Sequence, residues 1–187
     1  MTSQRGRRPA APGIHAPDDV AEIIRVDHAG EYGAVRIYEG QLAVLGGRPR
    51  AAKTAAAIRR MAEQERQHLE AFDRLINERR VRPTALEPVW RIAGYALGVA
   101  TAMMGEKAAM ACTAAVEEVI DEHYGRQLER LEGDPELKDT VDRFRADEIA
   151  HRDEALAHGA EAAPGYRFLS ESIKAGCKLA IRLSERI

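Results

Sequence analysis

Two Glu-x-x-His pairs, Glu65/His68 and Glu148/His151, and two glutamates upstream of them, Glu31 and Glu117, carry the chemistry this sequence could perform. A carboxylate and an imidazole three positions apart share a helix face and can close on one metal ion. Their register sets these six apart from the other acids and histidines. The apolar stripe Ile58, Met61, Phe72, Leu75 runs through Glu65 and His68, and the stripe Leu137, Val141, Phe144, Ala155 runs through Glu148 and His151. Alternating steps of three and four mark the core-facing side of a helix, so both pairs stand where leucine is expected. Glu31 lies in the seam Ile24, His28, Val35, Tyr38, Leu42, Leu45, and Glu117 in the seam Met110, Ala114, Asp121, Tyr124, Leu128, Leu131.

Aligning Glu31 with Glu117 also aligns Tyr38 with Tyr124, Gln41 with Gln127 and Leu42 with Leu128, and the Glu-x-x-His pairs follow at nearly the same interval. The chain therefore reads as a duplication, each half giving one Glu helix and one Glu-x-x-His helix. Four inward-facing helices with this ligand set are the pattern of ferritin-like di-iron and di-manganese bundles. Four facing carboxylates repel one another, and burial raises their pKa values. Two divalent ions would neutralise them, and carboxylate with imidazole suits iron or manganese. The expected division is Glu31, Glu65 and His68 on one metal and Glu117, Glu148 and His151 on the other, with Glu65 and Glu148 as candidate bridges. The competing reading is a set of buried polar residues that satisfy one another, or solvated faces wrongly phased.

Six helical segments must position these groups. Aromatic residues are 5% of the chain and no stretch alternates with period two, so the fold class is all-α. Pro17-Asp18-Asp19 starts the first segment and Gly46-Gly47 ends it; the second follows Pro49 and runs to about Arg80. Pro83 and Pro88 bracket a linker before a third segment over residues 89–104. The Glu117 helix is expected to stop at Gly133, with Asp134-Pro135 capping the Glu148 helix and Pro164-Gly165 preceding the last. The architecture is thus a four-helix ferritin-like bundle with internal duplication and two extra apolar or amphipathic helices.

Residues 1–17, with Arg5, Arg7 and Arg8 among prolines and glycines, contain no apolar core of a secretory signal and read as a disordered basic tail before one domain over 18–187. A net charge of -2 gives no bulk attraction to nucleic acid. Cys112 and Cys177 lack disulfide or metal-site spacing. No nucleotide-binding glycine motif occurs. Residues 92–104 carry no charge but fall short of the roughly 20 a spanning helix needs. The last helix sets Leu169, Ile173, Gly176, Ala180 and Leu183 on one stripe with Lys174, Lys178 and Arg182 elsewhere. Both helices suit a membrane interface or plain packing on the bundle; in the first reading Leu97 and Val99 are expected to face lipid.

Tyr124 and His123 are candidates for a supporting catalytic role: Tyr124 as a hydrogen-bond donor to the metal-holding groups or a redox-active phenol, His123 as a neighbour that orients them. Tyr38 matches Tyr124, and both also read as core tyrosines. Asp27 and Arg36 read as holding hydrogen bonds around the ligands or, in preference, interhelical ion pairing, His28 as a weaker candidate, and His15 and His158 as peripheral.

The segment Arg25-Val26-Asp27-His28-Ala29-Gly30-Glu31-Tyr32-Gly33-Ala34, together with Glu65-Arg66-Gln67-His68, Ala115-Val116-Glu117-Glu118, His123-Tyr124 and Asp147-Glu148-Ile149-Ala150-His151, closely resembles the demethoxyubiquinone hydroxylase family of ubiquinone biosynthesis. The resemblance runs from about Asp18 to the C-terminus. It implies a membrane-bound di-iron monooxygenase that uses two Fe ions and O2 to hydroxylate the ring of a polyprenylated benzoquinol, with all six ligand positions matched and Glu118 outside the ligand set. It further implies that the third and sixth helices form the apolar platform for the lipid tail, and that other ubiquinone-biosynthesis proteins are possible partners. The setting it implies is the cytoplasmic face of a bacterial inner membrane or, alternatively, the matrix side of the mitochondrial one. By ligand pattern alone a ferritin-type ferroxidase also fits, and a metal-free helical interaction protein remains the alternative from another class.

Overall fold

The computed structural model describes residues 17–187; the expected basic tail, His15 included, lies outside the described residues except for Pro17. The described chain is α1 (Asp18–Leu45), a 3-10 turn (Pro49–Ala51), α2 (Ala52–Arg79), α3 (Glu87–Met103), α4 (Glu106–Leu128), α5 (Pro135–Ala157), a second 3-10 turn (Ala160–Ala162) and α6 (Tyr166–Ser184). The all-α ferritin-like expectation holds.

Local chemistry sets most boundaries. Asp18 and Asp19 occupy the first turn of α1, where negative charge meets the positive helix end. Pro88 sits inside the first turn of α3 and not before it, because its missing N–H is unneeded there. Asp134 caps α5 by accepting from the Leu137 N–H at 3.3 Å, with Pro135 behind it. α4 ends at Leu128, short of the expected Gly133, because the backbone tightens into three-residue turns: Arg130 N–H donates to Gln127 O at 2.8 Å and Asp134 N–H to Leu131 O at 3.0 Å.

α1, α2, α4 and α5 form the bundle, and two apolar clusters occupy its ends. Tyr38, Ile58, Met61, Met110 and Ala155 belong to one cluster, and Ile24, Phe72, Tyr124, Leu137 and Phe144 to the other. Along each helix the glutamates and histidines fall between these clusters, so the charged layer is closed off from water at both ends.

α3 and α6 lie outside the bundle against α1 and α4. α3 approaches α1 backbone to backbone: a Cβ on Gly98 would stand 2.0 Å from Ile37 O, and one on Gly40 would stand 2.3 Å from Tyr95 O. The pairing of Gly94 with Gly33 and Gly98 with Ile37 makes the two helices run parallel. α6 runs antiparallel to α3, tied by Trp90 Nε1 donating to Ser184 Oγ at 3.1 Å and to α4 by Lys174–Glu118 at 2.7 Å and Lys178–Glu122 at 2.9 Å.

This glycine contact corrects the expectation for Leu97 and Val99. With Gly94 and Gly98 pressed on α1, Leu97 turns inward beside Ile37, Cys112 and Ile173, and Val99 lies against Gly40. The residues that α3 presents outward are Val89, Ile92, Tyr95 and Met103, joined by Phe168 and Leu179 of α6; Ile92 is 68% exposed and Phe168 82%. Gly98→Ala should therefore destabilise the protein by on the order of 3 kcal/mol through overpacking, read as a lower denaturant midpoint with unchanged helical signal in the native state.

Candidate metal centre

All six predicted residues meet in the middle of the bundle, each 2% exposed or less. His68 Nδ1 lies 3.1 Å from Glu148 Oε1 and 3.6 Å from Glu31 Oε2, and His151 Nδ1 lies 2.9 Å from Glu65 Oε1 and 3.4 Å from Glu148 Oε2. Their donor atoms fall into two overlapping sets, Glu31, Glu65, His68, Glu148 and Glu65, Glu117, Glu148, His151, each set lying within 4.8 Å of one another. Glu65 and Glu148 belong to both.

The hydrogen bonding around the cluster leaves its inner atoms free. Glu65 and Glu148 have no hydrogen-bond partner for either carboxylate oxygen, Glu31 and Glu117 lack one for Oε2, and both histidines lack one for Nδ1. Buried polar groups are ordinarily satisfied. Orphaned atoms that all point at one another, in a set of carboxylate oxygens and imidazole nitrogens, fit two shared divalent cations.

The outer atoms are held, and the bonds cross between halves. Tyr38 donates to Glu117 Oε1 at 2.6 Å, while Tyr124 donates to Glu31 Oε1. His68 Nε2 meets Asp147 Oδ2 and His151 Nε2 meets Gln64 Oε1, each at 3.1 Å. Such bonds fix ring orientation and leave Nδ1 for a metal. Sequence reading missed Gln64 and Asp147. The signal was present, since each immediately precedes the glutamate of a Glu-x-x-His pair and so occupies the same place in both halves.

Other candidates fall elsewhere. His123 stays off the cluster, with Nε2 at 2.8 Å from Gln127 Nε2 and 3.4 Å from Asp27 Oδ1. Asp27 does not pair with Arg36: it is buried and accepts from Gln127 at 2.7 Å, and burial raises its pKa despite His123. Arg36 instead pairs with Glu39 and lies over the Tyr95 ring. His28 bonds Asp73 at 2.9 Å, His158 sits by Glu154 at the margin, and Glu118 faces Lys174 on α6.

The electrostatics follow from crowding. Burial first, then Glu148, Glu31 and Glu117, holds Glu65 well above the ordinary carboxylate range, and burial and Glu148 do the same to Glu117. Burial likewise raises Glu148, partly opposed by His68. Glu31 alone is lowered: burial pushes up, but the neighbouring His68 prevails. Burial pushes the His68 imidazole down, yet the Glu148 and Glu31 carboxylates beside it carry it to about 11. His151 is lowered, chiefly by burial.

Beside the cluster, α1, α3, α4 and α6 line an apolar cavity of about 540 Å³ that opens to the surface, with Ala34, Ile37, Leu97, Ile120 and Ile173 in its wall. Gly30 and Val116, which also line it, are the chain neighbours of Glu31 and Glu117.

A family model described as ubiquinone biosynthesis protein COQ7 matches residues 18–184. The chain belongs to this family. Relatives in the COQ7 family include the 3-demethoxyubiquinol 3-hydroxylase of Rhodospirillum rubrum, 54% identical over 94% of this chain and 82% of that protein. The NADPH-dependent 3-demethoxyubiquinone 3-hydroxylase, mitochondrial, of Homo sapiens is 50% identical over 90% of this chain and 78% of that protein. The 5-demethoxyubiquinone hydroxylase, mitochondrial, of Saccharomyces cerevisiae is 40% identical over 88% and 77%. The matched span of this COQ7 family member contains every residue of the cluster.

The raised carboxylates give a pH test. Folded Glu65 and Glu117 hold protons at pH values where the unfolded chain has released them, so the native state binds more protons. Stability of chelator-treated protein should fall as pH rises above the ordinary glutamate value. Metal added back should remove most of that slope, as measured by urea midpoints across pH 5–8 on the approximate scale where carboxylates and histidines govern stability.

Proposed function

We propose that this chain is a 3-demethoxyubiquinol 3-hydroxylase, with residues 18–187 as a single hydroxylase domain. The observation that carries the reading is the cluster of orphaned carboxylate and imidazole atoms set beside an apolar cavity, in a chain whose relatives bear that name. A ferroxidase has no use for such a cavity. A metal-free interaction protein would leave the cluster's inner oxygen and nitrogen atoms without partners.

The reaction replaces a ring C–H by C–OH, one oxygen atom of O2 entering the ring and the other leaving as water, with two electrons and two protons from outside. The names of the mouse and human relatives make NADPH the reductant to supply first. Two irons would be held by Glu31, Glu65 and His68 and by Glu117, Glu148 and His151, with Glu65 and Glu148 shared. Iron so held would pass those electrons to O2. The protein's own groups do the rest. Asp147 and Gln64 keep both imidazole Nδ1 atoms turned inward, Tyr38 and Tyr124 hold one oxygen each of Glu117 and Glu31, and the apolar wall excludes water from the ring.

A polyprenyl tail partitions into lipid, so the substrate should enter from a bilayer. No helix among the described residues is long and apolar enough to cross one. The outward apolar residues of α3 and α6, with Arg167 and Arg182 exposed beside them, suit a helix pair lying in the interface. We place the enzyme peripherally on an inner membrane, on the cytoplasmic face in a bacterium or the matrix face in a mitochondrion. Other ubiquinone-biosynthesis proteins would act on the same quinol there.

Purified protein loaded anaerobically with Fe2+ should bind about two irons per chain and, with O2 and reductant, hydroxylate demethoxyubiquinol in liposomes. Glu148→Ala and His151→Ala should abolish turnover while helical content persists, since alanine is a good helix former. Asp147→Ala should weaken iron binding by about 10- to 100-fold. Full activity of the Glu148 or His151 variant would refute the reading.

Replacing Ile92 and Phe168 together by glutamate should reduce liposome co-sedimentation and turnover of a long-tailed quinol, with iron content unchanged. Unaltered sedimentation would remove the membrane role of this face.

A further inference from the structure

The glycines of the helices around the cavity fall into two classes. At Gly40, Gly94 and Gly98 an added Cβ would strike the backbone of the facing helix, so helix packing accounts for them. At Gly30 and Gly33 of α1, as at Gly176 of α6, an added Cβ would meet nothing within 4 Å. Neither adopts a positive φ; among the described residues the glycines that do are Gly105, Gly159 and Gly165. Glycine inside a helix is less stable than alanine. Neither backbone conformation nor packing therefore explains why α1 lacks side chains here.

The internal duplication supplies the comparison. Superposing the Glu31 frame on the Glu117 frame places Gly30 on Val116, Gly33 on Val119 and Ala34 on Ile120, and all six line the same cavity. The two halves thus present matching positions to one space, with valine and isoleucine on α4 but glycine and alanine on α1. Of these two equivalent walls the α1 one is cleared, directly beside Glu31.

We propose that Gly30 and Gly33 are specificity-determining residues that form the seat of the quinol ring. Their bare backbone lets a flat, substituted ring lie against α1, while Val116, Val119 and Ile120 press on its other side. This rests on the functional reading above and deepens it by naming what shapes the ring site. The ring, and not the tail, belongs here because it is the part that must come next to the metal-holding carboxylates, and Gly30 is the chain neighbour of Glu31.

Trp90 is the one tryptophan of the chain and lines the cavity, so a bound quinone should quench its fluorescence without any turnover. The iron-loaded protein is titrated with a benzoquinone analogue bearing a short alkyl tail. Wild type should quench saturably. Gly30→Val and Gly33→Val, which install the α4 residue on α1, should each raise Kd by about tenfold or more, with iron content unchanged. Gly33→Ala, which keeps the fold even if the valine variants do not, should raise Tm by about 2 °C while weakening binding. Saturable wild-type quenching with unchanged Kd in Gly33→Ala and the folded valine variants overturns the glycine seat and leaves the functional reading standing. Wild-type protein that shows no saturable quenching overturns the functional reading and the seat with it.

Discussion

Four glutamates facing one another in a water-free layer are the constraint on which the rest of this molecule depends. Two like charges about 4 Å apart repel by about 4 kcal/mol at an effective dielectric of 20. Burying a leucine at a seam position contributes only about 1.5–3 kcal/mol. A bundle that puts glutamate in place of leucine at four seam positions therefore needs compensating positive charge. Imidazoles that bind metal through Nδ1 are neutral and add no charge, so two divalent cations match the four carboxylates, and the apolar clusters at both ends of the bundle keep water from substituting for them.

The duplication explains why the cluster is held so evenly. Each tyrosine donates to the glutamate of the other half, and the residue before each Glu-x-x-His pair holds the other half's histidine. Crossed bonds of this kind tie α1 to α4 and α2 to α5, so neither half can shift without disturbing the other's share of the cluster. Outside the cluster the symmetry lapses. Asp27 and Thr113 are equivalent, as are Ile37 and His123, and only one half has the buried carboxylate beside an imidazole. The cavity wall lapses in the same way, glycine on one side and valine on the other. Symmetric parts serve the shared charge problem, and asymmetric parts serve a substrate that has one ring and one direction of approach.

α3 and α6 join the two environments. Glycine contacts press α3 so close to α1 that Leu97 is directed into the cavity and Ile92, Tyr95 and Met103 outward. One short helix pair thus provides both a wall of the cavity and an apolar outer surface, and a lipid-borne substrate needs both.

The six clustered residues, the all-α class and the duplication were legible in the sequence because helical periodicity is local: three- and four-residue steps place Glu65 and His68 on a core face whatever surrounds them. Asp134-Pro135 announced α5 for the same reason. The outward face of α3 was not legible. Residues 92–104 are largely apolar all round, so no stripe marks which side faces outward, and the choice fell to the backbone contacts of Gly94 and Gly98. Asp27 offered the same ambiguity, since a carboxylate near Arg36 in the chain reads as an ion pair until the helices are assembled and Gln127 takes it. The sequence by itself determined which residues share a helix face. The tertiary structure alone decided which faces meet, how Gln64 and Asp147 reach across to the opposite half, and where a cavity remains, because those depend on distances between helices that no local pattern encodes.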